Sequence, residues 1–157
     1  MSVDVGSKAP DFTLKNQDRQ PVTLSERRGR PVVLAFFPAA FSSVCEKELC
    51  TLRDSLSSLN ELSRAKAQVY GISVDTFFTL KAFHDQQKFT FPLLCDFNKE
   101  VIREYGVFND DMVGLKGIAK RAVFVLDKDG IVRHREVLDD ARHEPDYQKL
   151  YAAVASL

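Results

Sequence analysis

The sequence predicts an α/β fold in which a central mixed β-sheet is flanked by helices and extended by an N-terminal β-hairpin. A continuously apolar run at residues 31–37 is typical of a strand that is covered on both faces. A helical segment and a second strand follow, an order that implies a right-handed parallel crossover. Two further strands, joined by the turn DKDG, predict an antiparallel hairpin near the C-terminus.

The composition is that of an ordinary globular protein, and the 157 residues predict a single domain over 1–157. Lys plus Arg and Asp plus Glu both number 22, so the net charge gives no reason to expect a nucleic-acid partner. No apolar stretch approaches the ~20 residues that span a bilayer. The N-terminus also lacks a signal-peptide pattern, so we expect a cytoplasmic protein with no membrane partner.

In the first half of the chain, each predicted strand or helix is indicated by its own sequence pattern. Residues 12–14 and the PVTLS segment, joined by the polar turn NQDRQ, predict the N-terminal hairpin. In the run PVVLAFF, Pro38 comes directly after the last residue and ends the strand, because proline cannot donate to a sheet ladder. Leucines at three- and four-residue spacing predict one helix from about Val44 to Ala65. The segment QVYGISVD, 68–75, is the second strand.

The second half predicts two short helices at 79–87 and 99–105, with FPLLCD between them as a brief strand or extended link. RAVFVLD, 121–127, is a strong strand, and IVRHREV, 131–137, returns antiparallel after Gly130. Helical spacing predicts a closing helix over 145–157. A βαβ unit followed by a ββα unit is the arrangement of a thioredoxin-like sheet.

Cys45 lies where the first strand gives way to the helix. Ser43 and Glu46 fit a capping box, with serine at the N-cap and glutamate at the third helical position. Cys45 would then lie in the first turn, where free N–H groups and the helix macrodipole stabilise a thiolate. The thiolate is the nucleophilic form of cysteine, so Cys45 is a candidate reactive residue. The alternative is that Cys45 only packs in the core, as free cysteines commonly do.

Three segments resemble the peroxiredoxin family. PAAFSSVC, 38–45, resembles its signature of proline, three residues, threonine or serine, two residues and cysteine. AKRAVFVLDKDG, 119–130, resembles the downstream segment that supplies an arginine, and APDFTL, 9–14, resembles the family's N-terminal stretch. Among subgroups, several segments look like the one-cysteine AhpE type, whereas CEKELC has the C-x4-C spacing of the PrxQ type.

The resemblance implies a thiol-dependent peroxidase that reduces hydrogen peroxide or small organic hydroperoxides. Cys45 would be the peroxidatic nucleophile, and Ser42 would hydrogen-bond the peroxide. Pro38 would shield the sulfur from water, and Arg121 would stabilise the thiolate and the leaving oxygen. This chemistry needs a thiolate and well-aimed donors, but no metal or flavin cofactor.

Glu48 matches an acidic family position and would orient arginine side chains, with Arg53 among the candidates. The implied partners are a peroxide substrate and a thiol reductant, which is thioredoxin, glutaredoxin or a low-molecular-weight thiol. The AhpE-type resemblance suggests a homodimer and the PrxQ-type resemblance a monomer.

Cys50 is the candidate resolving cysteine, by its PrxQ-like spacing. In an intact helix a five-residue step rises ~7.5 Å and turns roughly 140°, which leaves the two Cα atoms about 8.7 Å apart. A disulfide requires about 4.4–6.8 Å. We therefore predict that a Cys45–Cys50 disulfide melts residues from about 42 to 52. Cys95 is a buried strand residue or an alternative resolving thiol.

Other functions remain open on the sequence. They are a one-cysteine peroxidase resolved by an external thiol, a peroxide-sensing switch protein, a disulfide oxidoreductase and a soft-metal carrier. The oxidoreductase is disfavoured because the chain lacks a C-x-x-C motif. The metal carrier is disfavoured because an intact helix points Cys45 and Cys50 apart.

Overall fold

A computed structural model describes residues 3–57 and 61–157. Its centre is a seven-stranded sheet in the order β2-β1-β5-β4-β3-β8-β9, and β6 and β7 form a separate two-stranded sheet. The strands are β1 Thr13–Asn16, β2 Pro21–Thr23, β3 Val32–Phe36, β4 Gln68–Ser73, β5 Leu93–Cys95, β6 Phe108–Asn109, β7 Ile118–Ala119, β8 Arg121–Leu126 and β9 Val132–Leu138. The helices are α1 Ser43–Ser57, α2 Glu61–Arg64, α3 Phe77–Gln87, α4 Glu100–Glu104 and α5 Tyr147–Ala155.

Strand β3 is the centre of the mixed sheet. It pairs in parallel with β4 and antiparallel with β8, and every one of its residues is buried. Burial on both faces explains its uninterrupted apolar sequence. Strand β8 pairs antiparallel with β9, and Gly130 in the intervening turn has a φ of 81°. The parallel pairing of the predicted crossover, the C-terminal hairpin and the mixed thioredoxin-like sheet are confirmed.

The N-terminal hairpin is also confirmed, with Thr13 paired to Thr23 across β1 and β2. It joins the sheet because β1 pairs antiparallel with β5, the segment that the sequence predicted as a strand or a link. The small β6–β7 sheet, in which Phe108 pairs with Ala119, was not predicted. Strands of two residues are too short to show an alternating pattern.

The predicted helix from Val44 to Ala65 corresponds to two helices, α1 and α2. Residues 58–60, which include Leu59 of the predicted apolar face, lie outside the described residues. Leu49, Leu52 and Leu62 are buried, as the leucine spacing predicts.

Two apolar clusters cover the two faces of the sheet. One contains Val33, Ala35 and Cys45 together with buried residues of α1, α2, α3 and α5. The other contains Phe36 and Tyr105 together with buried residues of α4 and of the N-terminal segment. Helix α1 therefore packs with Cys45 against the sheet, just beyond the carboxyl end of β3. In the described part of the chain, none of the helices has the length and apolar character needed to cross a membrane.

Candidate active site

Helix α1 begins one residue before the predicted start. The backbone N–H of Glu46 donates to the carbonyl of Ser42 at 2.9 Å, which makes Ser42 the N-cap residue and Ser43 the first helical residue. The predicted capping box, with Ser43 as the N-cap, is therefore wrong. Cys45 is the third helical residue and remains in the first turn, as expected. Phe41, with a φ of 68°, lies in the left-handed region and turns the chain into the helix.

The loop before α1 is held by an aspartate that follows the neighbouring strand. Asp75 Oδ2 accepts from the backbone N–H of Ala40 at 2.8 Å and from Ser73 Oγ at 2.7 Å. Strands β3 and β4 are parallel, so their carboxyl ends meet at one edge of the sheet. Asp75 was not predicted as a site residue, although its place at the carboxyl end of the predicted strand 68–75 was a usable signal.

Arg121 and Cys45 meet inside the protein. Arg121 Nη2 donates to Cys45 Sγ at 3.3 Å, and the two residues are 1% and 0% exposed. Arg121 is the first residue of β8, and β8 pairs with β3 so that Ala122 lies opposite Phe36. This register brings the start of β8 to the end of β3, where the helix that carries Cys45 begins.

The Arg121 guanidinium is fixed by two further acceptors. Its Nη1 donates to Glu48 Oε1 at 3.1 Å, and its Nε and Nη2 donate to the carbonyl of Ala141 at 3.2 and 2.9 Å. Glu48 therefore contacts an arginine side chain, although the sequence did not single out Arg121 as that arginine. Ala141 was not predicted, because a backbone carbonyl leaves no signal in the sequence.

Arg53 does not take the position suggested from the resemblance. Its Nε donates to Asp54 Oδ1 at 3.1 Å, and its Nη1 donates to the carbonyl of Gln87. The suggestion that Glu48 orients Arg53 is wrong. Five residues of helix turn Arg53 roughly 140° away from Glu48, so its side chain contacts α3 instead.

Arg121 lines a groove of about 720 Å³, while Cys45 is fully buried and is not among the residues that line it. Pro38, Ser42 and Arg121, three of the residues singled out in the sequence, line it together. Its other walls come from Ser43 and Val44 of the signature segment and from residues that the sequence did not connect to the site. The latter are Asn109, Asp111, Met112, Val113, Lys120, Asp139, Asp140, Ala141 and Arg142.

Residues 5–135 match the family described as AhpC/TSA. The chain belongs to the AhpC/TSA family. Alkyl hydroperoxide reductase E of Mycobacterium tuberculosis is 44% identical over 138 residues, 86% of this chain and 86% of that protein. Chloroplastic peroxiredoxin Q of Sedum lineare is 42% identical over 131 residues, 83% of this chain and 67% of that protein. The crystal structure of peroxidoxin BcpB from Mycobacterium tuberculosis has a TM-score of 0.86 at 30% identity, covering 99% of this chain and 98% of that one.

These similarities confirm the resemblance to peroxiredoxins, and the chain is a peroxidase of that family. They also confirm that both suspected subgroups are relatives, because the AhpE and PrxQ proteins match at nearly equal identity.

Two ionisable side chains, Glu48 and Arg121, are buried beside the Cys45 thiol. Burial raises the pKa of Glu48 to about 7, although the neighbouring Arg121 acts to lower it. Glu48 Oε2 has no hydrogen-bond partner among the residues that the structure describes. Burial acts to lower the pKa of Arg121, but Glu48 and Cys45 together raise it above its ordinary value. The guanidinium therefore keeps its charge next to the sulfur.

The other two cysteines are separated from Cys45. All three are free thiols, and Cys50 lies further along the intact α1. Cys50 Sγ donates to Gln87 Oε1 at 3.4 Å, and burial raises the pKa of this thiol. Cys95 ends β5, half-buried in a second groove lined by Phe77 and Phe78, and burial raises its pKa as well.

Proposed function

We propose that this peroxidase reduces hydrogen peroxide and small organic hydroperoxides at Cys45. The observation that carries the proposal is the 3.3 Å contact between Arg121 Nη2 and Cys45 Sγ at the first turn of α1. Arg121 also lines an open groove. The guanidinium places a fixed cation with several donors at the sulfur, and the thiolate is the nucleophilic form of cysteine.

In the first step the Cys45 thiolate attacks one peroxide oxygen. An S–O bond forms, the O–O bond breaks, and the departing hydroxide or alkoxide takes a proton to leave as water or alcohol. Arg121 and the Ser42 hydroxyl would donate to the oxygens on which negative charge develops. Pro38 would limit water access to the sulfur. Cys45 is left as a sulfenic acid.

In the second step Cys50 would attack the Cys45 sulfenic acid. The S–S bond forms, the S–O bond breaks, and hydroxide leaves with the proton of Cys50 as water. An intact helix keeps the two Cα atoms about 8.7 Å apart, so residues from about 42 to 52 must unwind to reach disulfide geometry. A thiol reductant, such as thioredoxin, glutaredoxin or a low-molecular-weight thiol, would then reduce the disulfide by exchange.

Steady-state peroxide consumption with each type of reductant tests both steps. Cys45→Ser should abolish consumption. Cys50→Ser should still use one equivalent of peroxide but should lose turnover with a dithiol reductant such as thioredoxin. Cys95→Ser is the matched control and should behave as wild type.

Four results would contradict parts of this proposal. Activity in Cys45→Ser would refute the nucleophile. Full turnover of Cys50→Ser would point to a one-cysteine cycle resolved by an external thiol, and loss of turnover in Cys95→Ser would make Cys95 the resolving residue. A wild-type protein that reacts once and then stalls with every reductant would be a peroxide sensor.

A further inference from the structure

The last residue of α3 contacts α1 at two neighbouring points. Gln87 Oε1 accepts from Cys50 Sγ at 3.4 Å, and the Gln87 carbonyl accepts from Arg53 Nη1. The last carbonyls of a helix have no partner within the helix, so that of Gln87 is available to an outside donor. Lys88 ends α3 in the left-handed conformation, with its N–H bonded to the His84 carbonyl. Gln87 is thereby held at a defined position against α1.

The segment of α1 that is expected to unwind ends near residue 52, between the Cys50 contact and the Arg53 contact with Gln87. Cys50 belongs to the part of α1 that must open, whereas Arg53 lies just beyond it. The later part of α1 has a further anchor, since Ser55 Oγ and Tyr151 OH are 2.6 Å apart. The part that opens is held by the Glu48–Arg121 pair, by Lys47 Nζ at 3.1 Å from Glu144 Oε2, and by the bond from Cys50 to Gln87. Among these three contacts, only that bond engages the second cysteine.

We propose that Gln87 is a positioning residue for disulfide formation: its amide oxygen holds the Cys50 thiol, with its proton, against α3 until the first turns of α1 unwind. The proposal rests on the resolving role suggested above for Cys50. An amide oxygen can only accept a hydrogen bond, so this contact favours the S–H form over the thiolate. Burial raises the pKa of Cys50 in the same direction, and Arg53 only partly opposes it.

Unwinding would remove the acceptor and expose Cys50 to water. The thiol then loses its proton, its sulfur attacks the Cys45 sulfenic acid, and the hydroxide released from Cys45 leaves as water. Cys50 is thus unreactive towards peroxide in the folded helix and becomes nucleophilic when it is able to reach Cys45. Gln87 would delay resolution without affecting the first reaction with peroxide.

Rapid-quench mass spectrometry separates the rate of sulfenic acid formation from the rate of disulfide formation. Gln87→Met keeps the side-chain length but removes the acceptor. It should speed disulfide formation roughly 2- to 10-fold, as expected for the loss of one hydrogen bond, and should leave sulfenic acid formation unchanged. Gln87→Glu retains an acceptor and should form the disulfide no faster than wild type. Gln86→Met, at the exposed neighbouring glutamine, should match wild type in both steps.

A second measurement isolates the thiol itself. In a Cys45→Ser, Cys95→Ser protein, Cys50 is the only cysteine. Its alkylation by iodoacetamide, measured against pH, should shift to lower pH when Gln87→Met is added and should not shift with Gln86→Met. A merely loosened α1–α3 contact would raise the rate by the same factor at every pH.

An unchanged or slower disulfide rate in Gln87→Met overturns the proposal, and so does an unshifted alkylation profile. The two hypotheses fail in different ways. If oxidised wild type contains no Cys45–Cys50 disulfide, the resolving role fails and this inference fails with it. If the disulfide forms at the same rate with and without the Gln87 acceptor, only the inference fails.

Discussion

Arg121 Nη2 lies 3.3 Å from Cys45 Sγ, and the same guanidinium donates through Nη1 to Glu48 Oε1 at 3.1 Å. One buried cation is shared between a thiol and a carboxyl group. The planar guanidinium makes this possible, because its donors point in several fixed directions and its charge persists at any ordinary pH.

Arg121→Lys should reduce the second-order rate of peroxide reaction about 100-fold, the usual effect of losing one donor to a developing negative charge. A lysine ammonium cannot contact Glu48, Cys45 and the Ala141 carbonyl in the same geometry. Competition for peroxide against a haem peroxidase measures the rate. Arg133→Lys is the control, since Arg133 pairs with Asp127 at 2.8 Å on a different part of the sheet. A wild-type rate in Arg121→Lys would refute the role of the guanidinium.

Ser42→Ala should also slow the peroxide reaction, by about 100-fold, because the groove that Arg121 also lines loses a hydroxyl donor. Ser42→Thr keeps the hydroxyl and should remain near the wild-type rate. The same competition assay applies, with Ser156→Ala at the end of α5 as a serine control. If Ser42→Ala and Ser42→Thr react equally fast, the hydroxyl has no part in the reaction.

Glu48→Gln should change how stability depends on pH. Burial raises the pKa of Glu48 from 4.5 to about 7, so the native state holds this proton more tightly than the unfolded chain does. The contribution of protonated Glu48 to the stability of the native state is therefore fully present below pH 4.5 and is lost as the pH rises to about 7. A shift of this size corresponds to about 3 kcal/mol in the free energy of unfolding.

Urea unfolding of Cys45→Ser, with and without Glu48→Gln, measures this effect without a contribution from the Cys45 thiol. Between pH 5 and pH 8, the protein that retains Glu48 should lose stability relative to the protein that also carries Glu48→Gln. A difference in stability that is the same at both pH values would show that Glu48 is ionised across this range.

Oxidation should remove the protection of residues 42–52 from hydrogen exchange. Disulfide geometry requires the first turns of α1 to open, whereas the later part of the helix is anchored through Arg53 and Ser55. Exchange measured by mass spectrometry before and after one equivalent of peroxide should show the loss, with α5 unchanged. Cys50→Ser treated in the same way should stay protected. Equal protection in reduced and oxidised wild type would argue against unwinding.

Most of the fold could be predicted because its signals are local. The apolar run of β3 and the leucine spacing of 44–65 report burial directly; β3 forms where expected, and the predicted single helix corresponds to α1 and α2. The start of α1 was misplaced by one residue because Ser42 and Ser43 are both residues that cap helices, and only the bond from the Glu46 N–H to the Ser42 carbonyl distinguishes them. The strands β6 and β7 were not predicted because a two-residue strand is too short to show the alternation of apolar and polar residues.

The sequence was sufficient to put Cys45 in the first turn of a helix after a central strand, with Pro38 and Ser42 nearby, because these residues are close along the chain. Arg121 could be predicted only through a family resemblance. Its contact with Cys45 joins positions 76 residues apart, and it exists because β8 pairs with β3 in one register. The Ala141 carbonyl on Arg121 and the Gln87 amide on Cys50 likewise required the tertiary structure, since strand order and helix packing bring them together and no local pattern encodes either contact.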